Sequence, residues 1–123
     1  MQLTVEEKDL DDLQHVNNVR YLDWIQQISK EHWQHEANAS LQKDYVWVVR
    51  KHTIKYHSSA ILNDQLSLTT QIIDSKGPIS VRKVVIKNNK TDQLVVTSET
   101  EWCLIDSLSM KPVRIPEAIK NLF

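Results

Sequence analysis

Glycine occurs once in the 123 residues, at Gly77, and cysteine once, at Cys103. The single glycine excludes a phosphate-binding loop or a dinucleotide fingerprint, both of which need several glycines at fixed spacing. The single cysteine excludes an intrachain disulfide and a Cys-rich metal site, and it fits a reducing cytoplasm. Proline is confined to Pro78, Pro112 and Pro116, so no low-complexity linker divides the chain. No stretch approaches the ~20 apolar residues that span a bilayer, and "MQLTVEEKDL" lacks the basic start and apolar run of a signal peptide. A cytoplasmic protein is the expectation. Charge of one sign is missing too: a net charge of -1 gives no general attraction to nucleic acid or to an anionic membrane, so partners must be argued from sites.

What is present is an ordinary globular composition, 41% hydrophobic and 25% charged, of a length that suits one domain over residues 1–123 without internal repeats. Residues 2–6 suit a short strand. From about residue 18 to about residue 36, Tyr21, Leu22, Ile25, Ile28, His32 and Trp33 recur at three- and four-residue intervals, predicting a long helix with one apolar stripe. After residue 44 the period becomes two. Val46, Val48, Arg50, His52, Ile54 and Tyr56 alternate with Trp47, Val49, Lys51, Thr53, Lys55 and His57, and residues 65–73, 79–87 and 93–106 look like three further strands. The short turn-rich connections "SKGP" and "NNKTDQ" predict antiparallel neighbours. One helix and one antiparallel sheet give a two-layer α+β domain, with the sheet curled round the helix. Strands that are apolar on both faces exceed what one helix can cover, which predicts a second subunit.

The stretch "LDDLQHVNNVRYL", residues 10–22, sits just ahead of the predicted helix. Part of it has a plain structural explanation: acidic residues complement the positive end of the helix dipole, and Asn17 or Asn18 can cap the first turn. The same arrangement also makes a reaction site. Free N–H groups at a helix start can hold a carbonyl oxygen as negative charge builds on it, while a nearby carboxylate attacks the carbon or takes a proton from water. Acyl transfer or hydrolysis is the chemistry that follows.

This stretch resembles the Asp-x-x-Gly-His-Val-Asn-Asn-x-x-Tyr-Leu signature of the hotdog-fold acyl-CoA thioesterases, which include 4-hydroxybenzoyl-CoA thioesterase and the bacterial long-chain acyl-CoA thioesterases. "VVRKHTIKYHSSAILNDQLSLTTQI" and "TEWCLIDSLSMKPVRIP" are similar to later parts of that family. The resemblance implies a hotdog fold and thioester hydrolysis, with Asp11 as nucleophile or general base and the Asn18 amide on the thioester oxygen. It places His15 and Asn17 at loop-organising positions and Tyr21 at the aromatic position of the first helical turn. Gln14 stands where glycine is commonest, so a positive φ there would strain the loop. The substrate implied is an acyl-CoA or an acyl carrier protein thioester, with no cofactor and no metal, in a homodimer that pairs further or does not. Other hotdog proteins are hydratases or dehydratases of acyl thioesters, and a non-catalytic acyl-thioester binder would keep the same fold.

Coenzyme A needs cations for its phosphates, and Arg82 and Lys83 follow the "SKGP" turn. Adjacent strand residues point to opposite faces, so only one of the two can serve. His32 and His35 have no second ligand pair at metal-site spacing, Cys103 lies in an apolar strand as a small core residue, and the four tryptophans suit the core or a subunit contact.

Overall fold

A short strand, a long helix and four long strands follow one another in the order predicted, and the computed structural model describes all of residues 1–123. The elements are β1 (Gln2–Thr4), α1 (Asn18–Glu36), α2 (Ala39–Asp44), β2 (Tyr45–Tyr56), β3 (Gln65–Lys76), β4 (Ile79–Asn88), β5 (Leu94–Asp106) and α3 (Glu117–Lys120). The strands form one antiparallel sheet in the order β1-β3-β4-β5-β2, curled round α1. This is the expected α+β hotdog architecture. No helix is long and apolar enough to cross a membrane.

The helix starts where the capping chemistry says it should. Asn17 has extended backbone angles and its Oδ1 accepts from the Val19 N–H at 3.1 Å, which makes it the N-cap. The face turned to the sheet carries Tyr21, Trp24, Ile25 and Ile28, packed on Leu66 and Leu68 of β3, Val84 and Ile86 of β4, and Val96 of β5. Trp24 belongs to this buried stripe, whereas Leu22, expected on it, is only half-buried. A smaller apolar cluster of Leu104, Ile115 and Ile119, with Trp33 and Trp47 against it, closes the far end.

Two features depart from the sequence reading. The strict alternation along β2 breaks at a bulge between Val49 and Lys51. Trp47, Val49, His52 and Ile54 therefore share the helix-facing side, paired with Leu104, Trp102, Thr100 and Ser98 of β5, while Val46 and Val48 face outward. The helices α2 and α3 were not foreseen, because at 6 and 4 residues they are too short to show a period. The strand β2 is an edge strand of 12 residues, and Val46, Val48, Val49 and Tyr56 on it are exposed.

Candidate functional site

The loop ahead of α1 is built around Asp11. Its Oδ1 accepts from the Leu13 N–H at 2.9 Å and the His15 N–H at 3.2 Å, while its backbone N–H donates to the His15 carbonyl at 2.8 Å. The Oδ2 atom makes no hydrogen bond, and the residue is half-buried. Closing so tight a loop forces Gln14 to φ 62°, in the left-handed region where a side chain is strained.

A second carboxylate fixes this loop to the helix. Asp9 is only 3% exposed, its Oδ1 accepts from Arg20 Nε at 2.8 Å and its Oδ2 from the Glu6 N–H at 2.9 Å. Its backbone carbonyl accepts the Asn17 N–H at 2.8 Å. Arg20 extends the chain of charges to Asp23 at 3.0 Å. Asp9 and Arg20 were missed at the sequence level, since eleven positions separate them and an acid before a helix is expected anyway.

Each expected residue has a definite place. The Asn18 N–H donates to no group of the chain, so the first helical turn presents a free donor on an exposed residue. The Asn17 side chain is occupied as the cap. The His15 ring is exposed, and its backbone bridges to Ile61. Tyr21 is buried, and its hydroxyl accepts the Ala60 N–H at 3.2 Å, which ties the helix to the segment after β2. Burial pushes its phenol up, the Ala60 hydrogen bond opposes that, and the charges of Asp64 and Asp11 add to it. Leu13, Val19, Ile61 and Leu62 are exposed apolar residues of the same end of the molecule.

Arg82 and Lys83 part company as strand geometry demands. Arg82 is 5% exposed and faces α1, paired across the sheet with Ile72 and Thr100. Lys83 is on the opposite face, beside Gln71 and Glu99. A cavity of about 690 Å3 opens between α1 and the sheet and is lined in part by Lys30, Trp33, Trp47, Trp102 and Arg82. None of Asp11, His15, Asn17 or Asn18 lines it: it begins at Asp23, about 8 Å along the axis from Asn18 at 1.5 Å per residue.

Residues 5–123 match the family model of the thioesterase-like superfamily. The chain belongs to this superfamily. Long-chain acyl-CoA thioesterase FadM of Escherichia coli K12 is 29% identical over an alignment of 125 positions that covers 98% of this chain and 92% of that protein. Acyl-CoA thioester hydrolase YbgC of Escherichia coli O6:H1 is 26% identical over 107 residues, 85% of this chain and 78% of that protein. The crystal structure of the probable thioesterase YbaW from Escherichia coli superposes with a TM-score of 0.84 at 27% identity, covering 99% of this chain and 93% of that one. Membership of the thioesterase-like superfamily bears out the resemblance carried by residues 10–22, and with it the class of enzyme, a thioesterase.

Proposed function

We propose that the protein hydrolyses an acyl-CoA, or an acyl carrier protein thioester, to the free acid and thiol, at the loop ahead of α1. The observation that carries this reading is the pairing of an Asp11 carboxylate whose Oδ2 is free with an Asn18 N–H that has no partner, at the two ends of one braced loop. The Asn18 amide and the positive end of α1 polarise the thioester carbonyl. Asp11 Oδ2 then attacks the carbonyl carbon, expelling the thiolate and leaving an anhydride for water to open, or it takes a proton from the water that attacks. In the second route that proton passes to the departing thiolate. His15 and Asn17 hold the loop and the helix start, and Tyr21 positions the helix through Ala60. Lys83, turned outward, serves the phosphates of coenzyme A better than Arg82, which is buried.

The active unit in this reading is a homodimer in the cytoplasm. Support comes from β2, a long edge strand with apolar residues and no proline, which offers a row of unpaired backbone groups to a second copy. Thiol release over a panel of acyl-CoA chain lengths, combined with sedimentation, tests both points. Turnover with a mass twice 14.4 kDa is expected. Ligand-dependent stabilisation without any thiol release would overturn hydrolysis in favour of a binding protein, and hydration of a crotonyl-type thioester would favour a hydratase.

A further inference from the structure

The cavity under α1 holds a charge that the chain does not balance. The Arg82 guanidinium uses Nη1 alone, at 2.7 Å from His32 Nδ1 and donating to Thr70 Oγ1 at 3.0 Å. Its Nε and Nη2 make no hydrogen bond within the chain, and no carboxylate lies within ion-pair distance of it. Burial lowers its pKa only to about 10, so the group stays charged at neutral pH. A buried cation without an anion is costly, and most are paired. His32 adds no charge of either sign: facing a guanidinium N–H, its Nδ1 must accept, so the ring is neutral.

The surroundings define what would complete the site. The Phe123 ring lies 5.5 Å from the guanidinium carbon, and Ile72, Trp33 and Trp47 add apolar and aromatic wall. Trp102, also on the cavity, has a buried Nε1–H with no partner, a second donor in search of an acceptor. A volume of about 690 Å3 lies within the range of small-molecule sites. A guanidinium fork matches a planar carboxylate in shape and cancels its single charge, and the apolar side chains beside it suit a carbon body attached to that carboxylate.

We propose that this cavity is a carboxylate-binding subsite, in which the free edge of Arg82 holds a carboxylate attached to an aliphatic or aromatic body. This goes beyond the hydrolytic reading and does not require turnover. The carboxylate has two sources to distinguish, the acid released by hydrolysis and the far end of an acyl unit that itself carries a carboxyl group.

Calorimetric titration of the full chain with hexanoate, decanoate and benzoate, each beside its primary amide, reads the site directly. The acid is expected to bind about 10- to 100-fold more tightly than the amide, as a charge-assisted hydrogen bond would give. Arg82→Met should abolish the difference, and Arg82→Lys, which keeps charge but loses the fork, should restore part of it. Should Arg82→Met fail to fold, the wild-type protein still decides: the Arg82 Nε–H resonance should move on adding the acid and not on adding the amide. Equal affinity for acid and amide, discrimination that survives in Arg82→Met, or a resonance moved by inorganic phosphate and not by carboxylates would each overturn the proposal. Thiol-release kinetics separate the sources. An Arg82-dependent preference for carboxyl-ended over methyl-ended acyl chains identifies the acyl tail; Arg82-dependent inhibition by free acid without that preference identifies the product. Acid binding without thiol release refutes hydrolysis alone, and hydrolysis without Arg82-dependent acid binding refutes the subsite alone.

Discussion

Asp11 is asked to do two things, and two substitutions separate them. Its Oδ1 braces the loop through the Leu13 and His15 N–H groups, while its Oδ2 is the proposed reacting atom. In Asp11→Asn the amide oxygen can accept the same two hydrogen bonds, so the loop and the position of the Asn18 N–H should persist. What is lost is the negative charge and the nucleophilic or basic oxygen. Loss of a general base alone is worth about 10²- to 10⁴-fold in rate, and loss of a nucleophile at least as much. Thiol release by Asp11→Asn should therefore fall by about 10²-fold or more, with thermal stability close to wild type.

Asp11→Ala removes the acceptor as well. Two hydrogen bonds at about 0.5–1.5 kcal/mol each, toward the low end because the loop is largely exposed, give a loss of about 1–2 kcal/mol. The alanine variant should be as inactive as the asparagine variant and less stable. Continuous thiol detection on a good acyl-CoA substrate, beside urea denaturation of all three proteins, gives both quantities. If Asp11→Asn kept its rate within tenfold while Asp11→Ala lost it, the carboxylate would be a loop brace, and the reacting group would have to be sought elsewhere.

Three other perturbations follow from the same geometry. Arg20→Ala strands the Asp9 carboxylate, which is 3% exposed; because Arg20 itself keeps 33% of its side chain exposed, the expected loss is about 2–3 kcal/mol by urea denaturation, below that for a fully buried pair. Gln14→Gly relieves a left-handed residue costing about 1–2 kcal/mol and adds about 0.5–1 kcal/mol of chain entropy to the unfolded state, so a net gain of about 0.5–1 kcal/mol is expected, read as a higher melting temperature. His32 and His52 both have pKa values held below the ordinary 6.5, His32 by burial and then by Arg82, His52 by burial. The unfolded chain then binds more protons than the folded one just below pH 6.5, so stability should be full above that pH and fall as the pH drops toward the folded values. A His32→Gln, His52→Gln double variant should show a shallower decline in urea midpoints between pH 7.5 and 5.5.

The elements that sequence made legible are those whose burial is periodic over many residues. The span of α1 and the four long strands came out within a few positions, because an apolar stripe or an alternation repeated over 10 or more residues leaves little freedom. The bulge in β2 did not, since Trp47, Val48 and Val49 are apolar on both phases and nothing local marks Arg50 as the extra residue. The candidate site divides the same way. Asp11, Asn17 and Asn18 lie within eight positions of one another, so local chemistry reveals them. Arg82 depends on phase: it falls in step with Val84 and Ile86, which are buried under α1, and that signal was present in "ISVRKVVIK". It was masked because Val81 and Val85, in step with Lys83, are apolar too. A charged residue in phase with the core is the exception that strand periodicity is poorest at finding, and here it is the residue whose charge most needs an answer. The polar row running from His52 through Thr100 to Arg82 lies on three strands, so only the register of the folded sheet brings it together. Had that row been structural filling alone, apolar side chains of similar volume would serve as well and cost less to bury. A cation kept there, facing an open cavity, is better explained by a ligand than by the fold.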